Sequence, residues 1–196
     1  MKQQNQRGYT TAEMLTVVAI IGVIALTSTS VLMNGLMREG LRSAGGHVRN
    51  ILIMTRANAV ALEANRAVKF TQRDGIWYYA IYDDRNRNGV LNEEINSGVD
   101  PIVEGPYPLF TAGSIGRVGF PVDGVADPDT GARIDPASVA VNFNRSTLCS
   151  FSAVGSGTPG SIYLTNGSDA MMIRSSGDSG HIRVMTYDAF RRKWEE

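Results

Sequence analysis

Glu13 is the residue whose setting most needs a chemical explanation. It is the only charged residue between Tyr9 and Met33. A carboxylate in apolar surroundings is unfavourable unless an opposite charge from outside this segment compensates it. At a helix N-terminus, Glu13 would instead interact with the helix dipole. The sequence leaves both roles open.

A second group of oxygen-bearing side chains lies in the segment DDRNRNGVLNEE. Asp84, Asn86 and Asn88 stand at positions 1, 3 and 5 of a calcium-loop pattern. Position 12 of that pattern carries a bidentate Glu, but here it is Ile95, and Glu94 falls one residue short. Calcium is the one cofactor that the sequence leaves open, against a turn-rich loop held by Asx-type hydrogen bonds.

Basic residues near an aromatic side chain form a third candidate site. Arg191, Arg192 and Lys193 precede Trp194, and Arg183 lies upstream. Such a set can contact nucleic acid phosphates and stack a base. The alternative is a solvated tail beside an exposed aromatic residue.

No group of residues predicts catalysis. The GDSG sequence at residues 177–180 matches the nucleophile segment of serine proteases, but His and Asp partners in a suitable context are missing, which favours a turn. Cys149 is the only cysteine, so an internal disulfide and a multi-cysteine metal cage are excluded, and we expect it to be a small buried apolar residue. We therefore expect a protein that is not an enzyme and has no catalytic residue.

The composition is that of a folded protein without a strong overall charge. The chain has 196 residues, 43% of them hydrophobic, with 19 basic and 19 acidic side chains. This size favours one globular domain plus an accessory segment. Any attraction to nucleic acid or anionic lipid must be local, because the net charge is +0.

The amino-terminal segment has the length of a membrane element. As a helix, residues 9–33 would extend about 37 Å, enough for a bilayer core of roughly 30 Å. The densest apolar run, residues 14–26, is short enough for a secretory signal with a cleavage site near Ser30. A conventional signal does not explain Glu13, however.

The segment RGYTTAEMLTVVAIIGVIA resembles the class III signal of type IV prepilins and type II secretion pseudopilins. The resemblance implies that a prepilin peptidase cuts between Gly8 and Tyr9 and methylates the new amino group of Tyr9. It also places Glu13 fifth in the mature chain, the position of the family's subunit-assembly carboxylate. Family members usually carry Phe at the position of Tyr9 and Leu-Ile at the position of residues 11–12.

An amphipathic helix is predicted to continue after residue 33. Apolar or small residues recur there at steps of three or four, which is typical of a helix that packs on one face: Leu41, Ala44, Val48, Ile51, Leu52, Thr55, Ala59 and Leu62. Gly35, Gly40, Gly45 and Gly46 each weaken a helix by about 1 kcal/mol relative to Ala. We therefore expect a bend or a melted turn near these glycines.

The rest of the chain predicts strands. VKFT at 68–71 and IWYYAIY at 76–82 read as a hairpin with Asp74-Gly75 in its turn. Further strands are expected at residues 115–120, 139–143, 148–153, 161–164, 171–174 and 181–187, with long loops at 86–108 and 122–136. One helix followed by many strands predicts an α+β fold, with one sheet wrapped on one face of the helix.

Segments along the chain are similar to the GspH/FimT-type pseudopilins. RANAVALEANRAVKF resembles the end of their long helix and their first strand, IYDDRNRNGVLNEEI their polar loop, and GSGTPGSIYLTNGS with IRSSGDSGHIRVMTY their closing strands. Where that family often has Gly-Arg-x-Arg, this chain has Gly180-His181-Ile182-Arg183. This departure weakens any role that needs both arginines.

This resemblance implies a pilin-like organisation. Residues 1–8 would be the leader, 9–33 a transmembrane and assembly helix, 34–64 its amphipathic continuation, and 65–196 a β-rich periplasmic domain. The protein would be a single-pass bacterial inner-membrane protein, later incorporated into a type II secretion pseudopilus or a type IV pilus. Its partners would be other pilins or pseudopilins, the prepilin peptidase and the inner-membrane assembly platform. The alternative is a DNA-binding minor pilin of a competence pilus.

Overall fold

The computed structural model describes residues 10–196 and, for residues 26–30, the backbone alone. The chain begins with a long helix and continues mainly as antiparallel strands. In chain order the elements are α1 Thr11–Ala61, β1 Arg66–Arg73, β2 Ile76–Asp83, α2 Asn92–Ser97, β3 Ile102–Pro108, β4 Arg117–Val118, β5 Val125–Ala126, β6 Arg133–Ile134, β7 Val141–Phe143, β8 Leu148–Phe151, β9 Gly160–Thr165, β10 Ala170–Ser175, β11 Ile182–Asp188 and β12 Lys193–Glu195. The α+β class is confirmed.

Two compact units divide the chain, with their boundary between Met37 and Arg38. Helix α1 contributes to both. Its residues after the boundary pack within the second unit, which holds every strand.

The predicted single-pass location in a bacterial inner membrane is wrong for the described chain. Among the described residues, 10–25 and 31–196, no helix contains a stretch that is both long and apolar enough to cross a membrane.

The expected melted turn near the helix glycines is wrong, because α1 is continuous from Thr11 to Ala61. Two of these glycines allow close packing instead. A Cβ on Gly40 would lie 2.6 Å from the Cβ of Ile115, and a Cβ on Gly45 would overlap the Sδ of Met171. A Cβ on Gly46 would meet no atom within 4 Å. Gly40 and Gly45 thus allow a loop and a strand to approach the helix axis.

The strands form two principal sheets, and the expectation of a single sheet is therefore corrected. The first sheet has the order β3-β2-β1-β8. The second is six-stranded, with the order β12-β11-β10-β9-β4 and β7 also paired with β9. Strands β5 and β6 form a separate two-stranded ribbon. Every strand pairing is antiparallel.

An inner core joins α1 to both sheets. The predicted helical stripe lies buried there, with Val48, Leu52, Thr55 and Ala59 fully inaccessible; only Leu62, beyond the end of the helix, is exposed. From the sheets, this core receives Val68, Phe70, Ile81, Phe143, Phe151, Ile162, Leu164, Met171 and Ile173. The amphipathic interpretation of this part of the chain is confirmed.

An outer core covers the opposite face of the second sheet. It contains Phe120, Val125, Ala140, Tyr163, Ala170 and Met172, with Tyr187 and Trp194 packed against it. Strand alternation explains the division. On β10, Met171 and Ile173 belong to the inner core, whereas Met172 belongs to the outer core. The second sheet is therefore buried on both faces.

The two predicted loops contain regular structure. Helix α2 and strand β3 lie within residues 86–108, and β5 and β6 lie within 122–136. Helix α2 ends at Gly98, which adopts a left-handed conformation with φ of 79°. Strand β3 pairs with β2 despite Pro106 and Pro108, since an edge strand tolerates residues that cannot donate on one side.

Candidate functional site

Glu13 lies in the first turn of α1 and closes a capping box with Thr10. The Thr10 backbone N–H donates to Glu13 Oε2 at 2.8 Å, and the Thr10 hydroxyl donates to the same oxygen at 2.9 Å. In return, the Glu13 backbone N–H donates to Thr10 Oγ1 at 3.2 Å. This reciprocal pair satisfies donors that a helix N-terminus otherwise leaves unpaired. The role of Glu13 at the helix N-terminus is thus present within the single chain.

The same contacts stabilise the ionised form of the Glu13 carboxyl group. The bond from the Thr10 backbone N–H, followed by the bond from its hydroxyl, lowers the pKa of the Glu13 carboxyl. Both bonds use Oε2, and Oε1 has no hydrogen-bond partner within the described part of the chain. An ionised carboxylate therefore keeps one oxygen available to a cation outside this chain.

An exposed apolar surface follows Glu13 directly. Eight large apolar residues between positions 14 and 24 each expose between 52% and 68% of their area: Met14, Leu15, Val17, Val18, Ile20, Ile21, Val23 and Ile24. With 3.6 residues per turn, these positions cover every side of the helix. A helix that is apolar on all sides belongs in surroundings that exclude water.

The predicted processing site lies outside the described residues. Gly8 and Tyr9 belong to the first nine positions, whose structure is not described. The proposed cleavage between them and the methylation of Tyr9 stay predictions. Thr10, the next residue, is the first whose contacts are defined.

Asp84 organises the polar loop that follows β2. Its Oδ1 accepts the backbone N–H of Arg87 at 2.7 Å, and its Oδ2 accepts that of Gly89 at 2.7 Å and the amide of Asn65 at 2.6 Å. Burial alone would raise the pKa of Asp84, but these hydrogen bonds to the charged form outweigh it and lower the pKa. Asp84 therefore acts as an ionised acceptor that fixes the loop.

The other candidate calcium ligands bond to one another. The side-chain amides of Asn86 and Asn88 both donate to Glu94 Oε1, at 2.9 and 2.8 Å. Calcium binding requires amide oxygens, so both amides would have to turn. Across residues 10–196, no group of three or more His, Cys, Asp or Glu side chains is placed to hold a metal ion. The residues as placed form a hydrogen-bonded loop, the arrangement that the sequence leaves open as the alternative to calcium.

The basic residues near the carboxy terminus differ in their surroundings. Arg183 Nη1 lies 3.5 Å from Glu196 Oε1, and Arg191 Nη1 lies 2.9 Å from Glu195 Oε1. Arg192 and Lys193 are exposed and form no ion pair with any described residue. Two of the four candidate phosphate contacts therefore take part in exposed ion pairs within the chain.

Trp194 is not the exposed aromatic residue that the alternative of a solvated tail contains. Trp194 lies in β12, opposite Tyr187 on β11, and its ring centroid lies 5.1 Å from that of Tyr187 and 5.8 Å from that of Tyr163. Its indole Nε1–H donates to the carbonyl of Ala126 at 2.7 Å. Because its ring packs against the outer core, Trp194 is not a free surface for stacking a base.

Cys149 lies on β8 in the inner core, as expected. It is fully inaccessible, and burial raises the pKa of its thiol to about 12. A thiol that stays protonated at neutral pH is a poor nucleophile. Residues 177–179 of the GDSG sequence form a turn after β10, as expected.

Comparisons with protein-family models, with curated proteins and with solved structures find no match. The family resemblance therefore stays a prediction from the sequence.

Sequence reasoning found Glu13 but missed Thr10 as its partner. The signal was present, because Thr-x-x-Glu before an apolar run is the pattern of a capping box. It also missed Asp100, a buried carboxylate whose Oδ2 accepts the backbone N–H of Leu91 at 3.1 Å. No pattern around Asp100 indicates that contact.

Proposed function

We propose that this protein is a structural subunit of a filament of the pseudopilin type, either a secretion pseudopilus or a type IV pilus. A prepilin peptidase would remove residues 1–8 and methylate Tyr9. The amino-terminal part of α1 would then pack among equivalent helices of other pilins or pseudopilins, after delivery by an assembly platform. The unit Arg38–Glu196 would be the folded part that each subunit contributes.

One observation carries this proposal: an apolar helix surface, exposed on every side, begins directly after a capped carboxylate. In a single chain, eight large apolar side chains face solvent without a covering element among the described residues. A bundle of like helices would bury them and would release the water that they now contact. The geometry therefore supports assembly of many chains through this segment.

Glu13 gives the assembly its register in this proposal. Its Oε2 closes the cap on Thr10, whereas its Oε1 is left for the α-ammonium group of Tyr9 on an adjacent subunit. That pairing compensates the negative charge of Glu13 only when an adjacent subunit has docked at the matching position along the helix axis. The charge thus favours ordered addition over stability of the isolated chain.

Processing is tested by mass spectrometry of the full chain isolated from its native host. We expect loss of residues 1–8 and the mass of one added methyl group. A mature chain that begins near Val31 would identify a conventional secreted protein. A chain that keeps Met1 within an assembled filament would also contradict the proposal.

The role of the carboxylate is tested with two substitutions that separate charge from capping. Glu13→Gln keeps an oxygen that can accept the Thr10 N–H but removes the charge, whereas Glu13→Ala removes both. We expect both variants to be processed and folded, and both to be poorly incorporated into filaments. Normal incorporation of Glu13→Gln, with a defect only in Glu13→Ala, would show that capping is the whole role of Glu13.

The DNA-binding alternative has no specific structural observation in its favour. Arg183 and Arg191 are ion-paired, and Trp194 is packed against the outer core. The DNA-binding alternative predicts salt-dependent binding of DNA that is lost when four residues are replaced together: Arg183, Arg191, Arg192 and Lys193. Absence of binding at low salt would remove it.

A further inference from the structure

A surface pocket of about 580 Å³ lies between the β5–β6 ribbon and the turn that joins β11 to β12. Arg133, on β6, and Arg192, in the turn, both line it, together with Asp123 and Tyr187. Its volume falls within the range of small-molecule sites. All of these residues belong to the unit Arg38–Glu196.

The two arginines of this pocket are distinguished by the lack of an acidic partner. Neither Arg133 nor Arg192 is within ion-pairing distance of a carboxylate in the described part of the chain. Nearby arginines are paired: Arg174 Nη2 lies 2.6 Å from Asp129 Oδ2, and Arg191 lies between Glu195 and Asp188. Asp129, Asp188 and Glu195 are thus paired with other arginines, and the guanidinium groups of Arg133 and Arg192 are left for an anion.

Tyr187 adds a neutral donor to the same pocket. Its hydroxyl oxygen accepts the backbone N–H of Ala126 at 3.1 Å. The hydroxyl proton then has no acceptor among the described residues, so it can be donated to a ligand. Guanidinium and hydroxyl groups are donors of the kind that bind oxyanions.

The backbone around the pocket is adapted to this arrangement. Arg192 adopts a φ of 53°, a left-handed conformation in which a non-glycine residue is uncommon. Such a cost is often retained at functional sites. Gly124 has a φ of 68°, and a Cβ there would lie 2.5 Å from the carbonyl oxygen of Ile134 and 3.2 Å from Arg133 Nε. Glycine at position 124 therefore allows the close approach of the β6 backbone and of the Arg133 side chain.

We propose that this pocket binds the carboxylate or phosphate group of a small organic anion, held by Arg133, Arg192 and the Tyr187 hydroxyl. The pocket is larger than a single oxyanion, so a polar body attached to that group, such as a sugar ring, would occupy the remainder. Asp123 lines the pocket with the opposite charge and opposes binding. This site is independent of the filament proposal, because it uses no residue of the amino-terminal segment.

The test is an NMR titration of the full-length ¹⁵N-labelled chain, dispersed in a nonionic detergent at constant ionic strength. The probes are inorganic phosphate, glucose 6-phosphate and glucuronate, with glucose as the neutral control. We expect saturable shifts of the Gly124, Ala126 and Gly131 amides with the anions at roughly millimolar concentration and none with glucose. If phosphate and glucose 6-phosphate bind with equal affinity, the pocket recognises only the oxyanion. If glucose 6-phosphate or glucuronate binds more tightly than phosphate, the pocket also recognises the sugar ring.

Matched substitutions assign the effect to named side chains. Arg133→Gln and Arg192→Gln should each weaken binding by about tenfold or more, since each removes a charge-assisted hydrogen bond. Asp123→Asn should tighten it by about twofold. Arg145→Gln, an exposed arginine outside the pocket, should leave it unchanged.

Arg192→Gly provides a variant whose residue suits the left-handed backbone at position 192. Glycine relieves the left-handed backbone, so we expect a higher urea midpoint together with weaker anion binding. Three results would overturn the proposal: no saturable shift with any of the three anions up to about 20 mM, equal shifts with glucose, or unchanged affinity in both Arg→Gln variants.

Discussion

Two adjacent glycines of α1 give opposite predictions for the same substitution. In an exposed helix, Gly→Ala stabilises by about 1 kcal/mol. Gly46→Ala should show that gain, because a Cβ at position 46 meets no atom within 4 Å. At position 45 the new Cβ would overlap Met171 Sδ, and Met171 is only 4% exposed within the inner core. Because Met171 is buried, its side chain must shift within the core to admit the new Cβ, and we expect this overpacking to outweigh the helix gain.

The magnitude follows from these two opposing contributions. Overpacking of a buried site costs about 1 to 3 kcal/mol. After subtraction of the helix gain, Gly45→Ala should lower the free energy of unfolding by between about 0 and 2 kcal/mol. The two alanine variants should therefore differ by about 1 to 3 kcal/mol, although their positions are neighbours.

Urea denaturation followed by tryptophan fluorescence measures this difference. Trp77 and Trp194, the only two tryptophans, are both partly buried in the unit Arg38–Glu196, so the signal reports the unit that contains the contact. If the slope of unfolding free energy against urea concentration is unchanged, the substitution alters stability and not the compactness of the folded or unfolded state. If Gly45→Ala stabilises the protein as much as Gly46→Ala does, α1 and β10 do not approach each other as described.

Two further predictions concern the polar loop and the outer core. The folded-state pKa of Asp84 is lowered, so its ionised carboxylate contributes stability that is present above the unfolded pKa of about 4 and is lost as the pH falls through the folded value. The difference in unfolding free energy between wild type and Asp84→Asn should therefore shrink below about pH 4. A difference that does not depend on pH would contradict this role. Trp194→Phe keeps an aromatic ring but removes the hydrogen bond to the Ala126 carbonyl, so it should lower the free energy of unfolding by about 1 kcal/mol. Amide hydrogen exchange should accelerate in β5 and β6 more than in β10. Equal acceleration in all three strands would show that Trp194 has no local role.

Local sequence signals predicted the elements whose geometry is set within a few residues. The β1–β2 hairpin is an example, because Asp74 and Gly75 both adopt positive φ, at 51° and 77°, as an Asp-Gly turn requires. The helical stripe was likewise visible, since its spacing follows directly from the helix period. The capped carboxylate at Glu13 was found because a single charge in an apolar run is a strong local contrast.

Elements that depend on distant partners were not visible in the sequence. Strand β3 contains two prolines and is stabilised by pairing with β2, and β12 is three residues long and is held by β11 and by the outer core. The pocket lined by Arg133 and Arg192 was not visible for the same reason. These two residues are far apart in the sequence and line one pocket only in the folded chain. No short motif predicts such a meeting.

The two-sided burial of the second sheet has a consequence for how the chain folds on the ribosome. Strands β9 and β10 are synthesised before β11 and β12, yet their outer residues, Tyr163 and Met172, are covered partly by Tyr187 and Trp194. Until those later residues emerge, this apolar face remains open to other nascent chains, and unpaired apolar surface of that kind promotes aggregation. Slow translation between codons 175 and 194 should therefore lower the yield of native protein, and a holdase chaperone should restore it.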